Sequence, residues 1–132
     1  MITVWTNGCF DIIHRGHIEM FKYASSLGDK LIVGIDSDEK VKKDKGNNRP
    51  FNCLSDRLEV LQAIKYIDEV CVFENTKGLE KLIKNIKPDI MVLGSDWRGK
   101  KVVGSEFSKN VKFFDRITGY STTNILNYDL RF

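Results

Sequence analysis

The sequence predicts one doubly wound α/β domain, residues 1–132, Rossmann-like, with a mostly parallel five-stranded sheet. Three observations predict it. Short apolar runs alternate with helical patterns along the whole chain. The run Leu31-Ile32-Val33-Gly34-Ile35 is continuously apolar, the mark of a strand covered on both faces. The length, 132 residues, suits one domain and leaves little room for two.

The elements follow in order. Residues 2–5 read as a first strand. After a loop, residues 17–27 form a helix with Ile18, Phe21 and Ala24 on one face, and Gly28 ends it as a C-cap. Residues 31–35 are the second strand. Lys40, Lys42, Lys43, Lys45 and Arg49 then crowd around Gly46-Asn47-Asn48, without apolar periodicity, so residues 40–49 read as a mobile basic loop. Ser55 caps a helix carrying Leu58, Leu61 and Ile64, and residues 70–73 are a third strand. Leu79, Leu82, Ile83 and Ile86 make the buried stripe of another helix, which Pro88 stops. Strands at residues 90–93 and 111–114 follow, then a short helix from Ser121 holding Ile125 and Leu126. Such an alternation implies right-handed crossovers. No internal repeat or low-complexity segment is present.

Composition narrows the class. Hydrophobic residues at 42% can build a core, and charged residues at 30% favour solubility. No apolar run approaches the roughly 18 residues of a membrane span, and MITVWTNG lacks the layout of a secretory signal. Cys9, Cys53 and Cys71 are odd in number and widely spaced, which argues against a disulfide scaffold and for a cytoplasmic setting. A net charge of +3 is too weak to imply nucleic acid.

In a parallel sheet, ligands bind beyond the carboxyl ends of the strands. That rule gathers residues 7–17, 36–49, 94–100 and 116–123. In the first, His14-Arg15-Gly16-His17 stands where a strand runs into a helix. Gly16 allows close backbone approach, the helix start offers N–H groups and a dipole, and two imidazoles add donors, a set that suits phosphate. A zinc site with Cys9 as third ligand and simple packing of the imidazoles are the rival readings. In RITGYSTT, Gly119 permits a tight turn, Ser121, Thr122 and Thr123 bring hydroxyls to a helix start, and Arg116 can fork onto phosphate; an ordinary Ser-capped helix is equally compatible. In GSDWRGK, Asp96 and Trp97 supply an acceptor and an aromatic wall for a base or ribose, or else a plain turn with a half-buried Trp. Asp11 can simply fix its loop through backbone bonds.

HxGH together with a late GxSTT resembles the small nucleotidyltransferases of the HxGH superfamily, over nearly the whole chain from Asn7 to Tyr128. Two branches are represented. RITGYSTT and GSDWRGK are similar to glycerol-3-phosphate cytidylyltransferases, although Cys9, Lys65 and Ile117 depart from their pattern. NGCFDIIHRGH, KGNNRPFN and VVGSE resemble the adenylyltransferase domain of ADP-heptose synthesis enzymes.

The resemblance implies that an NTP and a phosphorylated polyol or sugar give an NDP-linked product and pyrophosphate. His14 and His17 would contact the triphosphate and stabilise its transition state. Arg116, Ser121 and Thr122 would hold the β and γ phosphates. Lys45 would neutralise the α or acceptor phosphate, with Arg57 helping. Gly8, Cys9, Phe10, Asp11 and Gly16 would line the substrate site, with Asp96, Trp97, Gly119, Tyr120 and Thr123. Mg²⁺ would accompany the triphosphate. The lead expectation is CMP transfer from CTP to glycerol 3-phosphate or a related polyol phosphate, because the segments placed to reach the nucleoside look cytidylyl-like. The alternatives are an ATP-dependent adenylyltransferase for a heptose 1-phosphate-type sugar and a nucleotide-binding module without turnover. The resemblance also implies a homodimer, which an apolar face of the first helix would suit; the composition points to no membrane or nucleic-acid partner.

Overall fold

The structure, a computed structural model, describes residues 1–115. Strands β1 (Thr3–Gly8), β2 (Lys30–Asp36), β3 (Glu69–Phe73), β4 (Ile90–Gly94) and β5 (Asn110–Phe114) form one sheet in the order β3-β2-β1-β4-β5. Every pair is parallel. Four helices connect them: α1 (Arg15–Ser26), α2 (Asp38–Lys45), α3 (Leu54–Gln62) and α4 (Thr76–Ile86). The predicted helix near Ser121, with Arg116, Gly119, Tyr120, Ser121, Thr122 and Thr123, lies outside the described residues.

Alternation along the strands divides the core into two layers. Val4, Leu31, Val33, Ile35 and Val92 face Phe21, Ala24 and Leu61. Trp5, Ile32, Met91 and Leu93 face Leu79 and Ile83 of α4. Consecutive side chains of a strand point to opposite faces, so a sheet covered twice needs apolar residues at every position. Phe21 and Ala24 are fully buried in the chain's own core, so that face of α1 is not left over for a second copy.

Three local expectations are corrected. Residues 40–45 are not a loop but the body of α2, where Ser37 Oγ accepts from Lys40 N–H at 3.2 Å. Asp38 and Glu39 stand in the first turn and Lys42, Lys43 and Lys45 in the last, as the helix dipole favours. One apolar residue, Val41, fully buried, anchors the helix, too few for a periodicity to show. The second correction concerns α3, which begins after Cys53 rather than on a Ser55 cap, and no side-chain cap bond is made there. The third concerns Gly28. Leu27 is the C-cap of α1, in right-handed conformation, and Gly28 is small for another reason: a Cβ there would stand 2.7 Å from the Ile2 carbonyl oxygen.

β1 pairs with β2 from Thr3↔Lys30 to Gly8↔Ile35. With β4 it pairs only at Val4↔Ile90 and Trp5↔Met91. The strand order reverses between these two strands, and they part toward their carboxyl ends, which opens a crevice at the switch point. Among the described residues no helix is long and apolar enough to cross a membrane.

Candidate functional site

The crevice is a cleft of about 370 Å³ over the carboxyl ends of β1 to β4. Its lining includes Gly8, Cys9, Lys45 and Trp97 of the expected site. It also includes residues that were not among the expected site contacts: Asn7, Asp36, Lys40, Asp44, Phe73, Thr76, Val102 and Val103. Asp36 ends β2, where the carboxyl-end rule points, but a lone acid after an apolar run carries no further signal.

The histidines stand at the start of α1, outside the lining of this cleft, and His17 feels the charge of Lys45, which lines it. His14 is the N-cap, and its Nδ1 accepts from Gly16 N–H at 3.1 Å. In return His17 Nδ1 accepts from His14 N–H at 3.2 Å. The two side chains thus form a reciprocal capping box of the kind usually built from Ser and Glu. Their rings lie 3.9 Å apart, centroid to centroid. The N–H groups of His17 and Ile18 both reach the His14 carbonyl, at 3.0 and 3.2 Å. Within the first turn the N–H groups of Gly16, His17 and Ile18 are therefore engaged, and an anion there would rely chiefly on the dipole and the imidazoles. The cap also sets the tautomer. A neutral ring whose Nδ1 accepts a hydrogen bond carries its proton on Nε2.

Burial holds His17 neutral and lowers its pKa to about 4, with His14 and the Lys45 cation adding to the effect. The same Lys45 charge bears on Cys9, whose thiol burial pushes up, and on Asp36, whose carboxyl burial also pushes up. Lys45 thus joins the histidines to the cleft electrostatically.

A pH dependence follows. An ordinary His ionises near 6.5, so between that value and about 4 the unfolded chain binds a proton that the folded chain refuses. The stability due to neutral His17 is complete above the unfolded value. It is lost as pH falls toward about 4, up to about 3 kcal/mol. Urea unfolding of wild type and His17→Asn across this window should show a steeper acid loss in wild type. Parallel curves would reject a buried neutral His17.

Several expected substrate contacts have other duties. Asp11 is buried, and its carboxylate accepts from Arg49 Nε at 3.0 Å, Phe51 N–H at 2.7 Å and Asn52 N–H at 2.8 Å. It ties its own loop to the segment before α3, and the Asp11 carbonyl accepts from Asn52 Nδ2 at 2.8 Å as well. Arg57 is 1% exposed. Its Nη1 donates to the carbonyls of Cys9 (3.0 Å) and Asp36 (2.8 Å), its Nε to Asn52 O (3.0 Å) and its Nη2 to Asp38 Oδ1 (2.6 Å). With four of five donors engaged, it clamps the ends of β1 and β2 to α2, which leaves at most one donor for the expected phosphate contact. Phe10, at φ 49°, turns its ring into the core against Phe21 and edge-on to His17, so it supports the histidine from below. Gly16 belongs to the cap. Asp96 lies exposed on a 3-10 turn, Ser95–Trp97, outside the cleft lining, while the half-exposed Trp97 reaches it.

Among the described residues no three His, Cys, Asp or Glu side chains come together as a metal site, so the zinc reading of HRGH finds no third ligand there.

Comparison with known proteins adds an independent line. The model of the family described as Cytidylyltransferase-like matches residues 5–127. The Bifunctional protein HldE of Campylobacter fetus subsp. fetus is 53% identical over 124 residues, 94% of this chain and 27% of that protein. The Bifunctional protein HldE of Nitratiruptor sp. is 49% identical over 123 residues, 93% of this chain and 26% of that protein. The chain spans about a quarter of the length of these relatives. Among solved structures, a lipopolysaccharide core biosynthesis protein from Thermoplasma volcanium superimposes with a TM-score of 0.70 at 29% identity, over 86% of this chain and 97% of that one.

Proposed function

The chain belongs to the cytidylyltransferase-like family and is a nucleotidyltransferase, and from that premise we propose that it transfers AMP from ATP to a heptose 1-phosphate-type sugar phosphate. The observation that carries this reading is identity of about one half to the HldE proteins across 94% of the chain. It agrees with the resemblance of NGCFDIIHRGH, KGNNRPFN and VVGSE to the adenylyl branch. Transfer from CTP to glycerol 3-phosphate, the lead expectation from the sequence, becomes the second reading. RITGYSTT and GSDWRGK favour it, but the first lies outside the described residues, and only Trp97 of the Asp96-Trp97 pair reaches the cleft.

In this reading an oxygen of the acceptor phosphate attacks the α-phosphorus, a phosphoanhydride bond forms, and pyrophosphate leaves with the electron pair of the broken bond. No covalent intermediate with the protein is needed, so the site acts by positioning and charge. His17 supplies a neutral Nε2–H donor whose direction the cap fixes. Lys45, at the end of α2, supplies the cation beside it. His14 steadies the pair, and the resemblance implies that Arg116, Ser121 and Thr122, outside the described residues, would hold the β and γ phosphates. Mg²⁺ would accompany the triphosphate.

Pyrophosphate release from ATP, CTP, GTP and UTP, each against heptose 1-phosphate, glycerol 3-phosphate and other phosphorylated polyols, tests this. The expected outcome is turnover with ATP and the heptose phosphate, with kcat/KM at least about tenfold above CTP, since an unmatched base leaves buried polar groups unpaired. A preference for CTP and glycerol 3-phosphate would return the second reading. Nucleotide binding without release from any pair would mean a binding module.

A further inference from the structure

Asn7, next to last in β1, lines the cleft at the point where β1 and β4 have parted. Its side-chain carbonyl oxygen accepts from Trp5 Nε1 at 2.9 Å. An asparagine amide is ambiguous by itself, since either the oxygen or the NH₂ can face a ligand. An indole N–H can only donate, so the bond to Trp5 removes the ambiguity. The carbonyl turns to Trp5 and the NH₂ turns away from it.

The indole is itself immobilised. Trp5 is fully buried in the layer beneath the cleft. Its ring occupies the space over Gly34, where any Cβ would stand 2.5 Å from Trp5 Cζ2. Gly34 is the direct register partner of Asn7 on β2. A glycine makes room for an indole, and the indole aims an amide. No acceptor among the described residues bonds the NH₂. Deprotonated phosphate oxygens are acceptors only, so an NH₂ held in this direction complements them and a carbonyl there would repel them.

We infer that Asn7 is a further site residue that donates from Nδ2 to a phosphate oxygen near the reacting centre, and that Trp5 is the positioning residue that holds it so. The oxygen belongs either to the nucleotide or to the acceptor phosphate. The inference rests on the nucleotidyl-transfer reading but not on which base or sugar is used.

The decisive substitution is Asn7→Asp. It keeps the size and an oxygen for the Trp5 bond, and replaces only the NH₂ by a charged oxygen. With the nucleotide and acceptor that wild type accepts, its kcat/KM should fall by about 10² or more while the unfolding midpoint stays near wild type. A loss carried by the KM of the nucleotide assigns the oxygen to the nucleotide, and a loss carried by the KM of the acceptor assigns it to the acceptor. Trp5→Phe should lower kcat/KM less, and should have no further effect in an Asn7→Ala background, where nothing is left to aim. Near-normal kcat/KM for Asn7→Asp would overturn the inference, and an undiminished Trp5→Phe effect in that background would overturn the positioning role. If wild type turns over no pair in the panel, the functional reading fails separately. Equilibrium binding of ATP and of inorganic phosphate then decides for Asn7. Weakening of either in Asn7→Asp supports the donor, and unchanged affinity for both removes it.

Discussion

His17→Ala is expected to lower turnover by about 10²–10³ while nucleotide binding falls far less. The substitution removes two things at once, the Nε2–H donor and the Nδ1 acceptor that closes the cap on His14 N–H. Loss of one donor aimed at transition-state charge typically costs 10²–10³ in rate, about 3–4 kcal/mol. Loss of a cap costs about 1 kcal/mol of stability and no rate by itself. Two conservative variants separate the contributions. His17→Asn can place an oxygen where Nδ1 stood and so keep the cap, but offers nothing at Nε2. His17→Gln carries one amide, whose oxygen can close the cap from this position or whose N–H can reach the Nε2 position. The expected pattern is a stable, slow Asn variant and a partly active Gln variant. Normal turnover in the Asn variant would make His17 a capping residue only.

Arg57→Ala is expected to destabilise the chain by about 3–5 kcal/mol, a large part of the whole stability of a domain this size. Three carbonyls, of Cys9, Asp36 and Asn52, would lose their buried donor, and Asp38 its partner. Arg57→Lys should recover little, because one ammonium cannot reach four acceptors spread around a planar fork. The damage should also reach the site, since α2 carries Lys45 and is tied to α3 through this guanidinium. Urea unfolding measures the first effect. A loss under about 1 kcal/mol would mean that the clamp contributes little.

The strands were legible because local composition reports burial directly. A parallel strand covered on both faces has to be apolar at every position, and Leu31 to Ile35 is. α4 was legible for a related reason, as Leu79 and Ile83 mark one face turn after turn. α2 was not. Its single buried apolar residue gives no period, and its cap, Ser37, and its acidic first turn were outweighed by the crowd of lysines behind them.

By itself the sequence determined the order of strands and helices, and therefore a parallel sheet with its ligand crevice at the carboxyl ends. It also determined that two histidines, a glycine and a basic segment converge there. Periodicity and chain order are local properties, and they suffice for that much. Only the tertiary structure decided what each polar group does once it arrives. Arg57 and Asp11, read as substrate contacts, are held by partners 5 to 48 and 38 to 41 residues away, and Asn7, which opens the NGCFDIIHRGH stretch without a role of its own there, is aimed by an indole that Gly34 admits. The physical reason is that an apolar side chain needs only to leave water, which its spacing reveals. A polar one must find a specific donor or acceptor, and that partner is set by distances across the fold that no spacing along the chain records.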